Sequence, residues 1–123
     1  MASTYTLYGI PNCSSVKKAR TWFDEQQLAY TFVDFKKTPP NAELIKLWLK
    51  DVDWNELVNR KGTTYRGLSD TDKSLLAQAS DAAIAFVSEH ASIIKRPVIH
   101  RGKGKPASLV GFDVAAYEAQ FLA

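Results

Sequence analysis

Residues 4–35, TYTLYGIPNCSSVKKARTWFDEQQLAYTFVDF, decide the fold. TYTLYGI alternates and is rich in Tyr, Thr and Leu, as a strand is, and the pattern breaks at Gly9 and Pro11. SSVKKARTWFDEQQL then sets Val16, Ala19, Trp22 and Phe23 at helical spacing among charged residues. AYTFVDF returns to strand character. A strand, tight loop, helix and second strand in that order predict a parallel pair joined by a right-handed crossover. The chain therefore opens with a βαβ unit.

Further on, TPPNAELIKLWLKDV predicts a helix capped by Thr38, with Pro39 at the first helical position, where a missing N–H costs no hydrogen bond. The pattern stays helical to about residue 94, through TDKSLLAQA and DAAIAFVSEHASII, and is interrupted by the irregular NRKGTTYRGLS. Residues from about 38 to 94 thus read as a helical insert. PVIHRG and SLVGF predict an antiparallel hairpin turned through RGKGKP, and DVAAYEAQFL a closing helix. No internal repeat or linker interrupts the chain. The expectation is one α/β domain over residues 1–123: a four-stranded mixed sheet with flanking helices and the insert packed beside it.

Composition narrows the function. With 46% hydrophobic and 24% charged residues over 123 positions, the chain has the material for one core and the make-up of an ordinary globular protein. Its apolar stretches, such as DAAIAFV, fall far short of the roughly 18 residues a membrane span needs, and MASTYTLYGI lacks a basic start and a signal-length apolar core. A cytoplasmic protein without membrane contact is expected. The net charge of +3 is spread over scattered Lys and Arg residues with no aromatic-studded basic stripe, so nucleic acid is not an expected partner. No extended apolar helix face is left unassigned, which makes a monomer the simplest expectation. A single cysteine cannot form an internal disulfide; it agrees with a reducing compartment and requires any redox chemistry to draw its second thiol from elsewhere.

That cysteine, Cys13, lies where the first helix is predicted to start. Free N–H groups and the positive end of the helix dipole stabilise a thiolate there, with Lys17 and Lys18 adding charge. Such settings bring a thiol from about 8.5 into a range of roughly 3.5 to 7.5, and the thiolate is the nucleophile. The competing reading is a small buried apolar residue without function, because free cysteines are among the most buried residues. Position in a strand-to-helix loop favours the reactive reading without closing the question. Arg60 and Arg66, in NRKGTTYRGL, and Arg96, before Pro97, are candidates to grip an anion through their guanidinium forks. Pro97 reads equally as an ordinary edge-strand proline, since X-Pro bonds are seldom cis. His90 and His100 have no Cys or carboxylate neighbours at metal-ligand spacing and read as surface residues, so no metal site is expected. There is no Gly-rich phosphate loop.

LYGIPNCSSVKKARTWFDEQ, NRKGTTYRGL, IIKRPVI and LVGF, in this order across nearly the whole chain, resemble the arsenate reductase (ArsC) family, most closely its YffB branch beside the Spx-like regulators. The resemblance implies a thioredoxin-like fold, Cys13 as active-site thiol, and Arg96 and a cis Pro97 beside it. It matches Arg60 and Arg96 to arginines that bind the oxyanion in family arsenate reductases. Two departures stand out. SLVGF lacks the further arginine that those reductases carry after the Arg-Pro pair, which argues against arsenate as natural substrate. Val16 stands where thioredoxin-like and Spx-like proteins often have a second cysteine, which rules out an internal disulfide switch. The implied activity is that of a monothiol oxidoreductase: Cys13 attacks, glutathione resolves the adduct as co-substrate, and no cofactor is bound. Its partners would be glutathione and a small-molecule or protein disulfide. Asn12, Ser14 and Ser15 would offer donors to the ligand at the helix start, with Arg66 and Pro97 also near it, and Arg96 would hold glutathione's anionic end or polarise the leaving group. The alternative is an Spx-like interaction module without turnover.

Overall fold

The computed structural model describes residues 4–102, 104 and 106–122. Strand β1 (Tyr5–Gly9) is followed by helix α1 (Ser14–Glu25) and strand β2 (Tyr30–Asp34). β1 and β2 pair in parallel, from Tyr5 opposite Tyr30 to Gly9 opposite Asp34. After the insert, β3 (Val98–His100) lies antiparallel to β1, with Leu7 opposite Ile99, and β4 (Ser108–Val110) lies antiparallel to β3. The sheet order is β2-β1-β3-β4, the mixed four-stranded thioredoxin-like arrangement. The RGKGKP turn includes Lys103 and Lys105, which lie outside the described residues.

Alternation along the central strands sorts the core into two clusters. Leu7 and Ile99 join Ala19, Trp22 and Phe23 of α1 and Tyr117 and Phe121 of the closing helix α7 (Val114–Phe121). Tyr8 and Val98, the alternate residues, pack with the insert. Phe23 and Tyr117 make an edge-on ring pair with centroids 6.1 Å apart, within a wider aromatic cluster that includes Tyr5 and Tyr30. Tyr117 also donates its hydroxyl to the Gly111 carbonyl. Gly111 has φ +82°, which favours glycine, and an added Cβ there would meet Lys95 Cε at 2.9 Å.

The insert comprises α2 (Ala42–Trp48), α3 (Trp54–Leu57), α4 (Thr63–Arg66), α5 (Asp70–Leu75) and α6 (Asp81–Glu89), closed by a 3-10 turn at Ala91–Ile93. Two expectations need correction. α2 does not begin at Thr38 and Pro39: its cap is Asn41, whose side chain accepts from the Leu44 N–H at 2.8 Å, while the Thr38 N–H is taken by the Asp34 carbonyl in the turn after β2. NRKGTTYRGLS is not wholly irregular, since Thr63–Arg66 forms one helical turn. The insert is tied to the strand region by a bridge between Val58 and Ile94, flanked by Asn59 N–H to Ile93 O and Lys95 N–H to Leu57 O, each 2.8 Å. That pairing leads directly into Arg96.

Candidate functional site

Cys13 is the N-cap of α1, with extended backbone angles, and its carbonyl accepts the first helical hydrogen bond from Lys17. Two close approaches fix it. Its N–H donates to the Ile10 carbonyl at 3.3 Å, closing the Pro11–Asn12 turn. Behind the turn, Gly9 lets strand and helix meet: a Cβ at Gly9 would lie 2.6 Å from Cγ2 of the fully buried Val16. The sulfur is therefore held half-buried at the start of a twelve-residue helix with no acidic residue in its first turn.

Partial desolvation alone would raise the Cys13 thiol. The Val16 N–H, a hydrogen bond from the Arg96 side chain, the Ser15 N–H and the Arg96 charge all act the other way, and the net result is a thiol below its ordinary value. No cap hydrogen bond of full geometry closes on the sulfur; the stabilisation comes from several donors converging on it. Arg96 is placed for this by its neighbours. Nη1 donates to the Ser92 carbonyl at 2.8 Å, Nε is buried without a hydrogen-bond partner, and the following peptide to the buried Pro97 is cis. Among the described residues no carboxylate forms an ion pair with Arg96, so its charge acts on the Cys13 sulfur without a competing carboxylate.

The remaining candidates separate. Ser15 contributes its backbone N–H to the sulfur, whereas Asn12 and Ser14 are exposed beside it. Arg60 does not act on Cys13: Nη2 donates to the Leu76 carbonyl at 3.2 Å, and the guanidinium lies 5.9 Å from the Tyr65 ring centroid. Its Nε is buried and unpartnered. Arg66 is exposed at the end of α4, and nothing joins it to Cys13 or Arg96 among the described residues. His90 is exposed, but His100 is half-buried on β3 with Nδ1 2.8 Å from the Ser108 hydroxyl, so it is not the surface residue expected. No cluster of metal-ligating side chains exists among the described residues. No helix among them is long and apolar enough to cross a membrane.

Sequence reasoning missed Ser92, whose carbonyl steers Arg96, and the Ile10 carbonyl that closes the thiol loop. Both act through the backbone, which leaves no side-chain signature. Gly9 was readable only as a strand end, although a glycine just before a cysteine loop is the type of residue that marks close backbone approach. A cleft of about 600 Å³ has Ile10, Lys36, Glu89 and Ser92 among its lining residues, and neither Cys13 nor Arg96 lines it.

A thioredoxin-like sheet that presents a thiol held below its ordinary pKa at the start of α1, next to an arginine and a cis-proline, defines a thiol-redox class of protein. The ArsC family model matches residues 8–120, and the chain belongs to the ArsC family, in its YffB and Spx-like branch. A solved YffB protein is 41% identical with a TM-score of 0.82, covering 94% of this chain and 97% of its own. The solution structure of an arsenate reductase (ArsC) related protein from Brucella melitensis is 37% identical with a TM-score of 0.67, covering all of this chain and 97% of its own. An uncharacterised Haemophilus influenzae protein is 32% identical over 94% of this chain and 97% of its own length. The global transcriptional regulator Spx of Bacillus subtilis is 25% identical over 76% of this chain and 71% of its own. Family membership supports a thiol-dependent oxidoreductase.

Proposed function

We propose that the protein is a glutathione-dependent monothiol oxidoreductase of a reducing, cytoplasmic compartment. The observation that carries this reading is the convergence of Arg96 and the Ser15 and Val16 N–H groups on the lone Cys13 sulfur. The Cys13 thiolate attacks one sulfur of a disulfide; a new S–S bond forms to Cys13, and the second sulfur leaves with the bonding electron pair as a thiolate, taking a proton from water. A glutathione thiolate then attacks the sulfur held on Cys13, forms an external disulfide and returns Cys13 as thiolate. Arg96 stabilises the attacking anion and the charge that develops on the leaving sulfur. Glutathione suits the role because this chain has no second cysteine to resolve the adduct. Arsenate is not the substrate proposed: SLVGF has no arginine, and Arg101 in the hairpin is engaged with the carbonyls of Pro106 and Gln120.

The test is glutathione-dependent reduction of 2-hydroxyethyl disulfide by wild type and by Cys13→Ser. Loss of turnover in a folded variant is expected; retained turnover overturns the mechanism. The likeness to Spx favours a second reading, a non-catalytic interaction module. Under it, Cys13→Ser would still capture RNA polymerase from a lysate while neither form turned over disulfide.

A further inference from the structure

A groove of about 430 Å³ runs along β4, the last strand of the sheet. Ser108, Leu109, Val110 and Gly111 line it in succession. Leu109 packs with the cluster of α1 and α7 and Val110 with the insert, on opposite faces of the sheet, so a cavity that touches both lies along the edge. Asp51 and Glu56 of the insert border one side, and Asp113 and Ala116 at the start of α7 the other. The edge itself is open. The Arg101 N–H donates to the Ala107 carbonyl and the Gly111 N–H to the Pro97 carbonyl, so Ala107 and Gly111 turn peptide groups toward β3. By alternation, Ser108 and Val110 turn theirs outward, and among the described residues no hydrogen bond reaches their main-chain N–H or C=O. Three carboxylates, on Asp51, Glu56 and Asp113, share the groove with one ammonium, on Lys95. None of the four belongs to an ion pair among the described residues. Asp51 spends one oxygen on the Ala107 N–H and Asp113 one on the Ala116 N–H, and Lys95 lies at the Gly111 end. A chain of net charge +3 thus carries an acidic groove along an unpaired strand edge.

We propose that the free edge of β4 binds an extended, lysine- or arginine-bearing segment of another polypeptide, which joins the sheet as a further strand. The inference is independent of the thiol chemistry and concerns how a protein partner docks. Unpaired peptide groups on a strand edge are a template for a further strand, and Ser108 and Val110 offer two donors and two acceptors. At about 3.3 Å per residue, the three residues of β4 match a segment of roughly three to five residues. Side chains of that segment alternate toward the insert and toward α7, and each side carries a carboxylate for a basic residue. The same charge disfavours a second copy of this chain, because pairing β4 with β4 would bring two sets of carboxylates together.

The experiment is an amide NMR titration of the intact chain with three peptides. The first is acetyl-Lys-Val-Lys-Val-Lys-amide, the second its analogue with Glu in place of Lys, and the third the lysine peptide N-methylated at its three central residues. The lysine peptide is expected to shift the signals of Ser108, Val110 and Glu56 and to slow hydrogen exchange at Ser108 and Val110. Both controls should bind about tenfold more weakly or worse, one through charge and the other through lost main-chain donors. Glu56→Lys should weaken the lysine peptide by a similar factor. Val110→Pro removes an outward N–H at an edge position that tolerates proline, and should do the same. Should that variant not fold, the N-methylated peptide tests the same bonds from the other side. An N-methylated peptide that binds as well as its parent overturns strand addition, and a Glu analogue that does so overturns the charge argument. Spermidine that displaces the lysine peptide at equal concentration would make this a site for small polyamines and overturn the inference. Ser108 and Val110 signals that move with protein concentration alone, with a dimer in sedimentation, would assign the edge to a second copy and overturn it too. So would the absence of any shift along β4.

Discussion

Half-burial by itself would make Cys13 a poorer nucleophile, and the donors around it reverse that effect. Arg96 enters twice, through its hydrogen bond and through its charge, so it is the side chain whose removal is expected to matter most for the thiolate. Arg96→Gln should move the midpoint of the pH profile for Cys13 alkylation upward, with the folded state intact by circular dichroism; an unchanged midpoint would assign the lowering to the helix start alone. The same depression has a consequence for stability. A group whose folded pKa lies below its unfolded value stabilises the fold fully above the unfolded pKa, about 8.5 for a thiol, and loses that contribution as pH falls through the folded value. Urea unfolding of wild type and Cys13→Ser under reducing conditions should therefore show a difference that grows as pH rises from neutral toward 9. A difference that is flat with pH would contradict a stabilised thiolate.

Those donors can converge only because α1 begins close against the end of β1, and Gly9 permits that contact. Gly9→Ala places a methyl 2.6 Å from Cγ2 of the fully buried Val16, so strand or helix must shift. The expected cost is about 1–3 kcal/mol in urea unfolding, the range for overpacking a close-packed site, together with slower alkylation of Cys13. Gly9→Ala combined with Val16→Ala should be less damaging than the sum of the two, because the second removes the methyl that the first strikes. Simple additivity would mean the contact is not what restricts position 9. This βαβ unit was the part of the fold most legible in the sequence: alternation, the Gly9 and Pro11 break and the spacing of Val16, Ala19 and Phe23 all pointed the same way. The start of α2 was less so. Pro39 satisfies the rule for a first helical residue, but the side chain that accepts the N–H is Asn41, two positions on. Of the site, residue types at Cys13 and Arg96 could be read, and the resemblance supplied the neighbourhood of Pro97. The backbone donors and the Ser92 carbonyl could not, since any residue supplies them.

At the scale of the molecule, the two halves of the site come from opposite ends of the chain, and the insert sets one of them. β1 and α1 place Cys13; the bridge of Val58 to Ile94, with Lys95 bonded to Leu57, places Arg96. No local pattern could have revealed this, because the bridge pairs residues from separate short elements that contribute only one paired position each. The insert core around Trp48, Trp54 and Leu57 should therefore influence the thiol from a distance, and more strongly than Phe121 of the other cluster, which reaches the Arg96 segment only indirectly, through Tyr117 and Gly111 to the Pro97 carbonyl. Leu57 is fully buried, and Leu57→Ala is expected to cost about 2–5 kcal/mol; Phe121→Ala, in the other cluster, should cost about 3–5 kcal/mol. Measured at low temperature, where both variants remain folded, the alkylation midpoint of Cys13 should rise in Leu57→Ala, as the Leu57 carbonyl that holds the Lys95 N–H loses its support and Arg96 loosens from the sulfur. It should move less in Phe121→Ala despite a comparable loss of stability. Equal shifts in both variants would mean that Cys13 reports only general loosening, and the insert would then be a cover for the sheet with no part in setting the site.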